Sequence, residues 1–144
     1  MKVAFISCTK TKSLHACSAR EMYQPSALFQ KAVRYVEQCD YDAWFILSAK
    51  YGLLEPDTVI EPYDVSVNQL HTSARKTWSH SVLAQVMAFP TPISRIDFYA
   101  GRPYREQLMH DLELRGIPCQ TPLQGKGIGE QLRYYALHTQ DFHP

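Results

Sequence analysis

No apolar run in the chain approaches the roughly 18 consecutive residues that a membrane span needs. The first apolar stretch is only Val3 to Ile6 before polar chemistry begins at Ser7, too short for the core of a signal peptide. The cysteines are Cys8, Cys17, Cys39 and Cys119, with no Cys-x-x-Cys pair and no familiar zinc spacing to a histidine. These absences predict a cytoplasmic protein with reduced thiols, no membrane partner, no metal site and no cofactor. Charge of one sign is also lacking. Fifteen Lys and Arg against fourteen Asp and Glu leave a formal net charge of +1, which argues against a surface that coats nucleic acid non-specifically. A small local basic site remains open. Neither a Gly-x-x-x-x-Gly-Lys-Ser/Thr phosphate loop nor a Gly-x-Ser-x-Gly elbow is present.

What is there suits a globular domain: 144 residues, 45% hydrophobic and 20% charged, enough to bury a substantial core. Val3–Ile6, Ala43–Leu47 and Ile96–Ala100 are short apolar runs that read as buried strands. A weaker run, Ile117 to Cys119, carries Pro118 and is expected at an edge. Helical patterns open at Pro25–Ser26, at Thr72 or Ser73 and at Pro103, and a last one follows Gly127. Residues 53–69 show no period and read as one long loop, of the kind that usually serves function. Strands alternating with helices predict an α/β three-layer sandwich with a mainly parallel sheet of about four strands. The expected organisation is a single domain over 1–138 and a tail over 139–144.

In an open α/β sheet, ligands bind beyond the carboxyl ends of the strands. Four loops fall there. The first carries Ser7, Cys8, Thr9, Lys10 and Lys12, and the second Ser48, Lys50, Tyr51 and Gly52. The third carries Gly101, Tyr104 and Arg105, and the fourth Gly127 and Gly129. Small residues let the backbone approach a ligand, and cations and helix N-termini favour an anion. A phosphate-bearing ligand is therefore expected. Within the long loop, Glu61 and Asp64 flank Pro62 and Tyr63. They are the candidate catalytic carboxylates, with Tyr63 as a stacking surface. Cys8 beside Lys10 has a setting that activates a thiol, but no histidine is placed as its base, so a small buried residue is the favoured reading.

The segments Ser7-Cys8-Thr9-Lys10-Thr11-Lys12, Leu47-Ser48-Ala49-Lys50-Tyr51-Gly52-Leu53-Leu54 and Glu61-Pro62-Tyr63-Asp64 resemble a bacterial and phage family of small proteins catalogued as a domain of unknown function. The resemblance spans about residues 3–138. A more distant likeness is to the uracil-DNA-glycosylase-like fold, as in an accessory domain of archaeosine synthase proteins. That likeness implies a four-stranded parallel sheet between helices. It does not imply uracil excision, because the glycosylase's water-activating Asp after the first strand is absent and Cys8 stands there between Ser7 and Thr9.

Two readings from different classes follow. One is an enzyme that cleaves or transfers at the N-glycosidic bond of a nucleoside, a nucleotide or a modified base in a short nucleic-acid segment. Lys10, Lys12, Lys50 and Arg105 would hold phosphate, Tyr51, Tyr63 or Tyr104 would stack on the base, and Glu61 or Asp64 would orient water. The other is a non-catalytic nucleotide or nucleic-acid binding module that uses the same pocket. A protein-interaction domain, the third and blander option, predicts no pocket where the four loops meet.

Overall fold

The computed structural model describes residues 1–140. In chain order the elements are β1 (Lys2–Ser7), β2 (Cys17–Ser18), α1 (Ala19–Met22), α2 (Ala27–Gln38), β3 (Ala43–Ser48), β4 (Gly52–Leu54) and β5 (Val59–Ile60). A 3-10 turn (Val67–Gln69) precedes α3 (Thr72–Met87), β6 (Arg95–Tyr99), α4 (Arg102–Leu114), β7 (Cys119–Gln120) and α5 (Ile128–His138). Val3, Ala4, Phe5 and Ile6 are all buried, because β1 is the central strand of a sheet covered on both faces. The α2 and α5 helices pack together on one face, and α3 and α4 on the other. The result is an α/β architecture of three layers.

The sheet has five strands in the order β4-β3-β1-β6-β7. All neighbouring pairs are parallel except β3 with β4. The sequence suggests about four strands; the additional one is β4, inside the segment read as loop. Gly52 makes it possible. Its φ of +75° reverses the chain just after β3, a conformation that costs other residues free energy. A Cβ there would also strike the Gln85 side chain. That carboxamide accepts from Leu53 N at 2.8 Å and donates to Leu53 O at 3.2 Å, closing the strand's outer edge. Three residues are too few to show a period, so the pattern hides β4. Further along the same segment, β5 pairs antiparallel with β2 as a two-stranded ribbon. As expected, β7 lies at a sheet edge.

Local signals set the helix starts. Ser26 Oγ accepts from Phe29 N and caps α2, whose Phe29, Ala32, Val33 and Val36 are buried at helical spacing. Pro103 lies in the first turn of α4 after the N-cap Gly101. The N-cap of α3 is His71, without a side-chain cap, rather than Thr72 or Ser73. At the other end of α5, Gln140 exchanges two hydrogen bonds with the Gln38 carboxamide of α2. Residues 141–144 of the expected tail lie outside the described residues. Among the described residues no helix is long and apolar enough to cross a membrane.

This order positions the site. From β1 the chain moves through α2 to β3 on one side, and later returns to place β6 on the other. The connections that leave the carboxyl ends of β1 and β6 therefore run to opposite faces of the sheet, and that is where open α/β sheets form a ligand crevice.

Candidate functional site

A cleft of about 520 Å³ opens at this switch point. Ser7, Cys8, Thr9, Lys10 and Lys12 enter it from the end of β1, and Tyr99, Gly101, Pro103 and Tyr104 from the end of β6 and the start of α4. Asp64, Ser66, Asn68 and Gln69 come from the segment around the 3-10 turn. Leu28, Phe29 and Ala32 of α2 and Ile128 and Tyr135 of α5 form an apolar wall, with Gln131 beside them. The site thus joins an apolar wall, three carboxamides, two ammonium groups and one carboxylate. That mixture suits a flat, partly apolar group bearing a polar edge and an anionic substituent.

Of the residues singled out in the sequence, Ser7, Cys8, Thr9, Lys10, Lys12, Asp64, Gly101 and Tyr104 meet in this cleft. Cys8 N donates to Leu47 O at 2.9 Å, which carries the strand ladder one residue past β1 and fixes the start of the loop. Lys12 Nζ reaches Lys10 O at 3.2 Å and sits 4.6 Å from the centroid of the Tyr63 ring. Asp64 is exposed, and its carboxylate makes no hydrogen bond or ion pair among the described residues.

Tyr104 is a hub beneath the cleft. Its hydroxyl lies 3.4 Å from Cys8 Sγ and 3.4 Å from Ser66 Oγ, and it accepts from Val67 N at 3.4 Å. Burial, and next the neighbouring Cys8 thiol, push this hydroxyl up to about 12. It is a neutral anchor for the Asp64–Gln69 segment rather than a stacking face, since its ring packs edge-on against Trp78. Ser66 and Gln69 form a capping box around the turn.

The second loop stays outside the cleft lining. Ser48 is fully buried, accepts from Lys50 N and Tyr51 N at 3.3 and 3.0 Å, and donates to the Tyr63 hydroxyl at 2.9 Å. Its carbonyl accepts from Trp78 Nε1 at 2.9 Å. Ser48 therefore locks the turn that leads to Gly52. The Tyr63 hydroxyl also bonds that of Tyr23 at 2.6 Å, and burial raises both tyrosines well above the usual phenol range. Tyr51 clamps the backbone of Glu61, whose N–H it accepts at 3.2 Å, and its ring lies 5.1 Å from Lys50 Nζ. Lys50, Tyr51, Gly52, Glu61 and Tyr63 thus brace the cleft's neighbours and do not line it.

Arg105 donates to Ala100 O at 3.2 Å and lines a separate hollow with Lys126. Gly127 caps α5 and Gly129 lies in its first turn; their neighbours Ile128 and Gln131 reach the cleft instead. Sequence reasoning missed Ser66, Asn68, Gln69 and Gln131. The Ser66-x-x-Gln69 spacing is the signal that reveals the turn; nothing comparable marks Gln131. Among the described residues no group of three or more His, Cys, Asp or Glu is placed to hold a metal ion.

No curated protein and no solved structure matches this chain. Residues 3–137 match DUF6884, described as a family of unknown function, and the chain belongs to that family.

Proposed function

We propose that the cleft binds a nucleoside or nucleotide, free or within nucleic acid, and acts at its N-glycosidic bond. One observation carries this reading: a carboxylate, two ammonium groups and an apolar wall face one another at the topological switch point of the sheet. The base lies against the apolar wall of α2 and α5, with Asn68, Gln69 and Gln131 available to its polar edge. Lys10 and Lys12 attract the phosphate. Glu61 lies away from this volume, so the catalytic role falls to Asp64 alone.

In hydrolysis Asp64 takes a proton from a water as the water oxygen bonds to the anomeric carbon. The carbon–nitrogen bond breaks, its electron pair leaves with the base, and the base takes up a proton. The same carboxylate faces the positive charge that develops on the sugar. A second reading is favoured by one feature: among the described residues Asp64 has no protein partner to orient it. A carboxylate of that kind also serves to hold sugar hydroxyls in a purely binding site.

The test is chromatographic detection of released base from nucleosides, nucleotides and short oligonucleotides, alongside thermal-shift binding. The glycosidic reading expects Asp64→Asn to keep binding and to lose turnover by about 100-fold or more. Binding by the native protein without any released base, weakened in Asp64→Asn, overturns catalysis in favour of the binding module. No binding of any of these ligands overturns both.

A further inference from the structure

Two smaller hollows adjoin the cleft on either side of the first turn of α4. One, of about 380 Å³, lies between α3 and α4 and shares Pro103 with the cleft; Arg75 and Lys76 line it, together with the single carboxylate of Glu106. The other, of about 200 Å³, lies between that turn and the segment leading into α5, and Arg105 and Lys126 line it. It shares Tyr99, Ala100, Gly101 and Gln131 with the cleft. Arg102 borders both.

These cations are little neutralised. Among the described residues Lys76 and Lys126 have no carboxylate partner, and Arg105 gives its Nε to a backbone carbonyl. Arg75 Nη2 reaches Leu70 O at 3.4 Å, while its Nε is shielded from solvent with no acceptor. Of these cations, only Arg102 is ion-paired among the described residues, to Glu106 at 3.0 Å, and both of those side chains are largely exposed, so the pair contributes little to holding the arginine in place.

We infer that the substrate of this cleft is an internal nucleotide of a single-stranded polynucleotide, whose flanking phosphates occupy the two cationic hollows. This rests on the nucleoside reading of the cleft. A free mononucleotide carries its phosphate on one side and leaves the second hollow unused. An internal nucleotide carries one phosphodiester on each side, which matches a nucleoside-sized cleft with a cationic hollow at each flank. The base must be unpaired to enter a cleft walled by Phe29 and Tyr135, so a duplex is disfavoured. A net charge of +1 suits such a short local track and not an extended one.

The test uses fluorescein-labelled oligothymidylate and oligouridylate of roughly ten nucleotides, followed by anisotropy, with unlabelled thymidine and uridine monophosphates as competitors. Tighter binding of either oligomer than of its monophosphate is expected. Two phosphate contacts give a salt slope of about −1.4, hence roughly sevenfold weaker binding at 200 mM than at 50 mM salt. Lys76→Ala and Lys126→Ala should each weaken the oligomer by about tenfold and flatten the slope by about 0.7, while monophosphate binding falls in one of the two variants and is unchanged in the other. Monophosphate binding with no gain from the oligomer, or oligomer binding indifferent to both substitutions, overturns the strand and leaves the nucleoside reading standing. No binding by either kind of ligand overturns both.

Discussion

The two ends of the parallel sheet treat charge in opposite ways. Where β6 begins, Arg95 forks onto Asp97 at 2.9 and 3.1 Å, and Tyr41 donates to the same carboxylate at 2.6 Å. Where β1 begins, Lys2 meets Asp40 at 3.0 Å. At the carboxyl end, by contrast, Lys10, Lys12, Arg105 and Lys126 have carbonyls, rings or nothing for company. Both ends are rich in tyrosine, and both use phenol hydroxyls in short chains. Only one leaves cations uncompensated. Charge at the amino end is paired with carboxylates; these four cations at the carboxyl end have no carboxylate partner among the described residues. The difference teaches that net charge alone is a poor guide here, because near-neutrality conceals a local imbalance of sign.

Removing the best-paired carboxylate is the strongest way to sharpen this contrast. Asp97→Ala breaks three charge-assisted hydrogen bonds at a side chain only 4% exposed. The expected loss is about 3 kcal/mol, seen as a melting temperature lower by roughly 10 °C. Ligand affinity at the far end should not change. A loss below about 1 kcal/mol would break the comparison, because it would make the amino end's pairing as idle as a surface ion pair. Next in size is Ser48→Ala at the carboxyl end. It removes one donated and two accepted bonds from a fully buried hydroxyl, and urea unfolding should report about 2 kcal/mol. That loss would show that the carboxyl end draws its stability from neutral hydroxyls, with its cations left free.

Much of the fold was legible in the sequence. The apolar runs at Val3, Ala43 and Ile96 could only be buried strands, and their alternation with helical patterns implied a parallel sheet and placed the site at its carboxyl edge. What could not be read depends on single contacts. The β4 strand exists because Gln85, a residue some thirty positions away, closes Leu53. The roles of Ser48, Tyr51 and Tyr63 were invisible for the same reason. A motif that looks like ligand chemistry, with its lysine and tyrosine, is a locked turn whose hydroxyls bond one another. Within the candidate site, Lys10, Lys12 and Asp64 were legible as charged residues in the loops after an apolar strand and in the segment without a period. Gln131 was not, since a carboxamide one turn into a helix carries no signature of its own.

The smallest predicted effect concerns Tyr104, and it separates the two ends by pH. Burial raises its hydroxyl from 10.0 to about 12, so the folded state favours the neutral phenol. The stability that this contributes is present below the unfolded value and is lost as pH rises through the folded one. Stability of the native protein should therefore decline between about pH 10 and pH 12. Tyr104→Phe should remove that share of the decline and, at neutral pH, cost about 1 kcal/mol, because the contacts to Ser66 and Val67 are long. The other buried phenols, Tyr23, Tyr63 and Tyr99, are raised further, so their contributions also begin to fall at the unfolded value and go on falling at still higher pH. In the folded state Tyr104 ionises before these three, and the charge it then buries beside Cys8 weakens the floor of the cleft next to the segment from Asp64 to Gln69 while the Arg95–Asp97 pairing persists. Hydrogen exchange read segment by segment should find residues 64–70 opening ahead of β1 and β6. Opening of the whole sheet in one step would show instead that the two ends are a single cooperative unit.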